Sequence, residues 1–351
     1  MDTWELVKTL SERPGPAGRE TSTCQTLETL WRPLTDETHI DAMGSLIALK
    51  RGTGPEPRPA LMIAAHMDEI GLIVTGIEDG FVRVHGLGGT DRRLLLGLEV
   101  EVHGRTVLPG LIGSRPPHVL SASERRRVQP WREIFIDLGL PADEVEAQVR
   151  VGDHVTFRQE AQRLRNDRVA AKALDNRASV AALTLSLDAL QSRHHAWDVY
   201  AVATVQEELG VKGAITSAYG VDPDLAIALD VTFAKQYNDK GTGTFELGEG
   251  PALGIGPNIH PAVLELLRDA AKDHEIEVSL EPLPGSSGTD AWGIQVAREG
   301  IPTGLISIPV RYMHQPIEVA ALVDIERTGR LLTAAVTRLS PEFHARWEDE
   351  A

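Results

Sequence analysis

Four short aliphatic runs in this chain end abruptly in charged or imidazole side chains, and this pattern constrains the fold more than any other feature. The runs consist mainly of Leu, Ile, Val and Ala, as buried strands do. Segments with helical spacing lie between some of them. This alternation of helix and buried strand predicts a layered α/β domain. The four runs are LMIAAHMDE, VYAVATVQEE, LAIALDV and GLISIPVRYMH.

Residues 71–165 differ in pattern from the rest of the chain. FVRVHGLGG, LEVEVHGRTVLPGLIG and VRVGDHVTF alternate apolar and polar residues between glycines, which is typical of half-exposed strands in a small barrel. Residues 120–149 are polar with helical spacing, and Ser121 or Ser123 is a candidate N-cap. We predict a discontinuous α/β domain, residues 1–70 and 166–351, that is interrupted by an inserted β-rich, barrel-like domain, residues 71–165.

Two helices are predicted before the first aliphatic run. Trp4, Leu6 and Leu10 have amphipathic spacing, and PGPAG supplies the turn that ends this helix. The second helix is predicted over residues 21–31. The single cysteine, Cys24, lies within it and is interpreted as a packing residue. One cysteine forms no intrachain disulfide, so nothing indicates an oxidising compartment.

The charge balance limits the classes of partner. A formal charge of −16, from 35 basic and 51 acidic residues, argues against a nucleic-acid or anionic-membrane surface, because both require a positive field. The apolar runs are shorter than the roughly 18 to 20 residues that span a bilayer. The first residues are acidic and helical in spacing, unlike a secretory signal. We therefore expect a cytoplasmic protein with no nucleic-acid and no membrane partner.

The residues that end the aliphatic runs point to a metal site. In an open α/β sheet, ligands gather at the carboxyl ends of the strands. Imidazole and carboxylate groups together suit zinc, cobalt or manganese, and the absence of a cysteine among them excludes a thiolate site. The residues in question are His66, Asp68, Glu207, Glu208, Asp230 and His314.

Several of these residues also have simpler interpretations. His66 and Asp68 lie on one face of a strand, so Asp68 can orient His66, although an isolated HxD is weak support for a metal site. Glu207 and Glu208 are either a solvated pair, or one metal ligand and one proton acceptor. His314 fits a loop position equally well.

Two aspartates complete the candidate set. Asp175, in ALDNR, precedes a helical pattern and is either a helix N-cap or a carboxylate that bridges two cations. Asp230 follows an aliphatic run, where an unpaired charge is costly, so a cation partner is favoured. The joint occurrence of all these residues, in the order His, Asp, Asp, Glu-Glu, Asp, His, favours a metal centre over the separate alternatives.

The order of these residues and the motifs around them resemble the dinuclear metallo-aminopeptidases of the tetrahedral aminopeptidase and glutamyl aminopeptidase family, whose members have often been labelled endoglucanases. The similarity extends almost from end to end. Its most specific segments are VQEELGVKGA and RYMHQPIEV. Others are PGPAGRE, DAMGSLIALK, AAHMDEIGLIV, RPPHVLS, FIDLG, GDHVTF, ALDNR, ALDVTFA, GPNIHPAV and GTDA.

The resemblance implies two divalent metal ions per subunit, with zinc or cobalt as the expected metals. Asp175 would bridge the two ions. The first ion would also be held by His66 and Asp230, and the second by Glu208 and His314.

By the same resemblance, Glu207 is the general base that activates a water between the metals, and Asp68 supports His66. The implied activity is removal of the N-terminal residue from short peptides, since an amine-anchoring metal makes an exopeptidase. The family fold is a twisted mixed-sheet α/β domain with a small β-rich insertion that mediates dimer contacts. Members often form twelve-subunit tetrahedral shells, so we expect a homo-oligomer, a dodecamer built from dimers.

Some positions depart from the family pattern. Asn176 and Ser179 stand where many relatives have an aspartate and a glycine, and TFAKQYNDK lacks a common proline-glycine turn. The preferred N-terminal residue is therefore open. Candidates to line the substrate pocket are Lys235, Gln236 and the loop of residues 286–290, although a purely structural role fits them as well.

Three other functions are compatible with parts of this residue pattern. Dinuclear zinc carboxypeptidases and amidohydrolases use a similar ligand order, but they insert their second domain before the last histidine rather than between Asp68 and Asp175. Glycoside hydrolases need no histidine ligands and usually display aromatic platforms, whereas aromatic residues are 5% of this chain. A non-catalytic, peptide-binding shell predicts loss of the base or of the bridging ligand, yet Glu207 and Asp175 are both present.

Overall fold

The computed structural model describes residues 1–239, 241 and 243–345. Its α-helices are α1 Thr3–Ser11, α2 Thr21–Trp31, α3 Ala142–Gln148, α4 Leu174–Leu190, α5 Lys212–Val221, α6 Pro261–Asp273, α7 Asp290–Ile294 and α8 Leu322–Arg338. Its strands are β1 Glu37–Ile40, β2 Leu46–Lys50, β3 Ala60–His66, β4 Gly71–Glu78, β5 Phe81–Leu87, β6 Glu99–His103, β7 Val107–Gly113, β8 Phe135–Asp137, β9 His154–Phe157, β10 Gln162–Leu164, β11 Arg168–Ala171, β12 Asp198–Thr204, β13 Leu225–Phe233, β14 Ala252–Ile255, β15 Ser279–Pro282, β16 Thr303–Arg311 and β17 Glu318–Ala321.

A large mixed sheet forms the centre of the α/β part. Its main path runs β1-β2-β12-β3-β13-β16-β17-β11-β10, and β14 and β15 continue from β16 as a branch. The four neighbours β12, β3, β13 and β16 are parallel, and the outer pairs are antiparallel. Almost every residue of β3, β13 and β16 is buried, as expected for strands covered on both faces. The predicted α/β fold with a mixed sheet is confirmed.

Helices pack against this sheet in two groups. Helix α4 contacts β3 and β13 and packs against α8, while α5 and α7 pack against each other and against β3. Helices α1 and α2 have the predicted positions, and Cys24 is buried in the main core as expected. Among the described residues, no helix is long and apolar enough to cross a membrane.

Six strands form a closed antiparallel barrel in the order β4-β5-β8-β7-β6-β9. The barrel has its own apolar core, separate from that of the sheet, to which alternate residues such as Leu72, Val74, Val82 and Val84 contribute. This alternation is the feature from which a barrel was predicted, and the barrel is confirmed. The chain returns to the large sheet at β10, which lies within the last residues of the range predicted for the insertion.

The helical prediction for residues 120–149 is largely wrong. This stretch contains the barrel strand β8, single turns of 3-10 helix and only the seven-residue helix α3. The Ser121 hydroxyl accepts a hydrogen bond from the Glu124 N–H, but it does so at a single turn rather than at the start of an α-helix. Pro130 and Pro141 interrupt helical geometry, and Gly139 adopts a left-handed conformation between them.

Candidate metal centre

The carboxyl ends of the parallel strands bring the candidate residues to one edge of the sheet. His66 ends β3 and pairs with Thr204 at the end of β12, which places Glu207 just beyond it. Leu229 of β13 pairs with Ala65, so Asp230 lies level with His66. His66, Asp68, Asp175 and Asp230 are buried.

Asp175 lies between two groups of potential ligands. Its Oδ1 is 3.1 Å from His66 Nε2, and Asp230 Oδ1 is 3.8 Å from the same nitrogen. Its Oδ2 is 3.3 Å from His314 Nε2, and Glu208 Oε1 is 3.5 Å from that nitrogen. In each group, one donor atom per residue lies within 4.8 Å of the others. Each spacing suits a single cation, and the shared aspartate places the two positions side by side.

Asp175 precedes the regular part of α4, as the helix N-cap alternative requires, but its two carboxylate oxygens lie against His66 and His314. The backbone at Asp175 is non-helical, with φ of −77° and ψ of 99°. These contacts place the Asp175 carboxylate between the two histidines.

Asp68 connects the first strand to the two adjacent glutamates. Its Oδ1 lies 3.4 Å from His66 Nδ1, on the side of the ring opposite to Asp175. The N–H groups of Glu207 and Glu208 donate to its two carboxylate oxygens at 3.0 and 3.1 Å. Asp68 thus lies beside the ring of one candidate ligand and anchors the backbone of the turn that carries two others.

Sequence reasoning missed Glu318. This residue is 2% exposed, and its two oxygens accept hydrogen bonds from the N–H groups of Asp175 and His314 at 2.9 and 3.0 Å. Glu318 lies in QPIEV, which was recognised only as part of a motif. A carboxylate as the first residue of an otherwise apolar strand is the sequence feature that could have identified Glu318.

The proposed pocket residues are dispersed. Lys235 pairs with Glu246 at 2.8 Å on the exposed surface, and Gln236 is exposed. Within residues 286–290, Asp290 is buried near the centre, where Thr204 donates a hydrogen bond to its Oδ2 at 2.5 Å. Its Oδ1 has no hydrogen-bond partner among the described residues.

Burial and crowding shift the pKa of several carboxyl groups upward. Burial raises the pKa of Glu207 to about 10. The positive charge of His66 opposes this shift, and the negative charges of Asp230, Asp290 and Asp175 add to it. Burial and the charge of Asp175 raise the pKa of Glu208 to about 7. These shifts arise first because burial disfavours the charged form, and then because several carboxylates share the site.

Nearby carboxylates raise the pKa values of the two histidines. The contact with Asp175 raises the pKa of His314 to about 9. Burial opposes protonation of His66, but its contacts with Asp175 and Asp68 raise its pKa above the ordinary value. Positive charge between the two histidines would lower the pKa values of all these groups. The imidazole and carboxylate donors and the acidic surroundings fit divalent cations such as zinc or cobalt.

Comparisons with known proteins agree with this architecture. A sequence profile of the M42 glutamyl aminopeptidase family matches residues 44–331. The lysyl aminopeptidase of Pyrococcus furiosus is 38% identical over 347 residues, which are 97% of this chain and 99% of that protein. Both similarities extend across the α/β part and the barrel.

Two solved structures have the same fold. A TET aminopeptidase from the marine sediment archaeon Thaumarchaeota archaeon SCGC AB-539-E09 has a TM-score of 0.90 at 33% identity and covers 96% of each chain. A Pyrococcus horikoshii TET1 peptidase, described as able to assemble into a tetrahedron or a large octahedral shell, has a TM-score of 0.84 at 30% identity. That match covers 96% of this chain and 100% of the other.

A mixed α/β sheet joined to a closed barrel, with acidic and imidazole groups gathered at the strand ends, defines a class of metal-dependent hydrolases. Within that class, the chain belongs to the M42 glutamyl aminopeptidase family. It is a peptide hydrolase, a metal-dependent aminopeptidase, and the resemblance drawn from the sequence is confirmed.

Proposed function

We propose that two divalent metal ions bind at this centre and share Asp175. The observation that carries the proposal is the position of that carboxylate, whose two oxygens face His66 and His314 at 3.1 and 3.3 Å. Asp230 completes the first set of ligands and Glu208 the second. Zinc or cobalt suits these donors, and availability in the cell decides between them.

Glu207 acts as the general base. When bound, the two cations polarise the peptide carbonyl and make water more acidic. The Glu207 carboxyl group forms no hydrogen bond or ion pair with the described residues, while Asp68 fixes its backbone N–H. A free carboxyl group on a fixed backbone is suited to take a proton from the attacking water and to return it to the leaving amine.

The proposed reaction removes the N-terminal residue from short peptides in the cytoplasm. The family and its lysyl aminopeptidase relative support this proposal. In addition, the positive charge of a free amino group complements the acidic surroundings of the centre.

The domain division and the assembly belong to the same proposal. Residues 71–165 form the inserted domain, which mediates dimer contacts, although β10 near the end of that range pairs within the large sheet. Residues 1–70 and 166–351 form the catalytic domain. The related TET1 peptidase is described as forming a tetrahedron or an octahedral shell, and we propose a dodecamer for this chain.

The substitution Glu207→Gln tests the role of the base. It keeps the shape and the backbone hydrogen bond of residue 207 but removes its capacity to accept a proton. We expect kcat to fall by about 100-fold or more, with two metal ions per chain retained in elemental analysis. Glu144→Gln, an exposed change on α3, is the matched control and keeps full activity. Unchanged turnover in Glu207→Gln removes this residue as the base.

A further inference from the structure

The loop between β5 and β6 brings the barrel into contact with the second group of candidate ligands. A Cβ atom added at Gly89 would overlap the imidazole of His314 and lie 2.9 Å from its Cε1. A Cβ atom at Gly88 would lie 2.8 Å from Glu208 Oε2. Non-bonded heavy atoms normally pack at about 3.5 to 4.0 Å, so a side chain at either position would displace His314 or Glu208.

The two glycines are needed for different reasons. Gly88 has a φ of +71°, a left-handed conformation that other residues adopt at a cost. The φ of Gly89 lies outside that region, so its backbone is compatible with alanine. Lack of space beside His314, rather than backbone conformation, therefore accounts for glycine at position 89.

The loop is hydrogen-bonded to the segment that follows β3, the strand that ends at His66. The Thr90 hydroxyl lies 3.1 Å from the carbonyl oxygens of both Gly71 and Leu87. Gly71 begins β4, only five residues after His66. The contact between Gly89 and His314 is thus fixed by a hydrogen bond at the base of the barrel.

His314 depends on such a contact for its orientation. Its side chain is 43% exposed, and its backbone has a left-handed φ of 60° in the loop after β16. Glu318 holds its backbone N–H, but this bond leaves the side chain free to rotate. The ring nitrogen Nε2 faces only the acidic oxygens of Asp175 and Glu208 among the described residues.

We propose that Gly89, a barrel residue, is a positioning residue for the second metal. It lies against the Nδ1 side of the His314 imidazole and holds Nε2 toward Asp175 and Glu208. Affinity for this metal therefore depends on the position of the barrel relative to the sheet. The inference rests on the proposed two-metal centre and adds a contribution from the inserted domain.

Metal titration of the purified, metal-stripped full chain with Co²⁺ tests this inference. The variant Gly89→Ala is compared with Gly76→Ala, a matched control in the same barrel whose added Cβ would meet Arg83 at an ordinary 3.9 Å. We expect the wild type and Gly76→Ala to bind two Co²⁺ ions. In Gly89→Ala we expect one tight ion and a second bound at least about 10-fold more weakly, with a changed visible absorption spectrum.

A second pair of variants leaves the space beside His314 unchanged. Thr90→Val removes the hydroxyl that ties the loop, and Thr90→Ser keeps it. We expect weaker binding of the second ion in Thr90→Val and wild-type binding in Thr90→Ser, whether or not Gly89→Ala folds.

The outcomes separate this inference from the proposed function. Two equally tight ions in both Gly89→Ala and Thr90→Val overturn the positioning role and leave the two-metal centre intact. Loss of both ions from Gly89→Ala without weakening in Thr90→Val also overturns it, because the effect is then general disruption. A wild type that binds fewer than two ions overturns both proposals.

Discussion

Glu318 connects two parts of the chain that supply candidate metal ligands. It receives the N–H of Asp175, at the start of α4, and the N–H of His314, in the loop after β16. Burial and the charge of Asp175 raise its pKa above the ordinary range. A buried acceptor for two ligand-bearing backbone segments sets the distance between those segments, and such supporting groups tune metal affinity.

The substitution Glu318→Gln replaces one of the two accepting oxygens with an amide NH₂. One backbone N–H then loses its acceptor, and we expect metal affinity and kcat/KM to fall by about 10- to 100-fold. Asp324→Asn is the matched control, because Asp324 is buried and also receives two backbone N–H groups, from Gly248 and Gly250, away from the centre. Chelator competition should show weakened metal binding only in Glu318→Gln, and equal binding in both variants contradicts the supporting role.

Single residues differ in how far the sequence predicts their place. His66 and Asp230 were predictable because each ends an aliphatic run, and strand ends meet at one edge of a sheet. Asp175 had two interpretations until its motif was matched to a family. Glu318 was missed because its role depends on which backbone N–H groups it meets after folding. The buried pair of Glu69 and Lys172, at 2.6 Å, is equally a product of tertiary packing.

At the scale of secondary-structure elements, β6 and β9 of the barrel carry a stacked pair of histidines. The rings of His103 and His154 are 4.3 Å apart and nearly parallel. Burial lowers the pKa of His154 to about 4. The positive charges of His103 and Arg19 add to this shift, and the negative charge of Asp153 opposes it. The pair is therefore neutral in the folded protein near neutral pH.

This shift predicts acid sensitivity. Between the folded pKa of about 4 and the ordinary value of 6.5, the unfolded chain binds more protons, so stability falls as pH falls through this window. His154→Phe keeps a stacked ring but cannot titrate. Because His154 is partly exposed, we expect the wild type to lose only about 1 kcal/mol more than this variant between pH 7 and about pH 4.5 in urea unfolding. His194→Gln, an exposed change, should follow the wild type, and equal losses in wild type and His154→Phe contradict the prediction.

Periodicity predicted the elements unequally well. Helices α1 and α2, the buried strands and the alternating strands of the barrel follow from residue spacing, because each has one buried face or two. The structure of residues 120–149 does not follow from residue spacing. Their charged residues have helical spacing, but prolines and packing against the barrel prevent a long helix. Strand β8 is three residues long, too short to show a pattern.

At the scale of the whole molecule, the barrel and the α/β part have separate cores within one chain. The chain order of the parts was predictable from the change in residue pattern. The contact between the two parts through Gly88 and Gly89 could not be predicted from the sequence, because it depends on how the two parts are placed in space.

The proposed dodecamer has a mass of about 458 kDa, twelve times the 38.2 kDa of one chain. Light scattering on the eluted peak of a sizing column measures this mass directly. We expect a species near that value at low micromolar chain concentration. A mass near that of a single chain contradicts the proposed assembly without affecting the proposed chemistry.

The proposed activity can be measured as hydrolysis of a panel of aminoacyl para-nitroanilides. The assay uses metal-stripped protein to which zinc, cobalt or manganese is added back, and N-acetylated substrates serve as controls. A metal-dependent aminopeptidase cleaves the free substrates only after metal is restored and leaves the acetylated ones intact. The order of rates across the panel reports the side-chain preference. Cleavage of free and acetylated substrates alike, or no cleavage with any metal, contradicts a metal-dependent aminopeptidase activity.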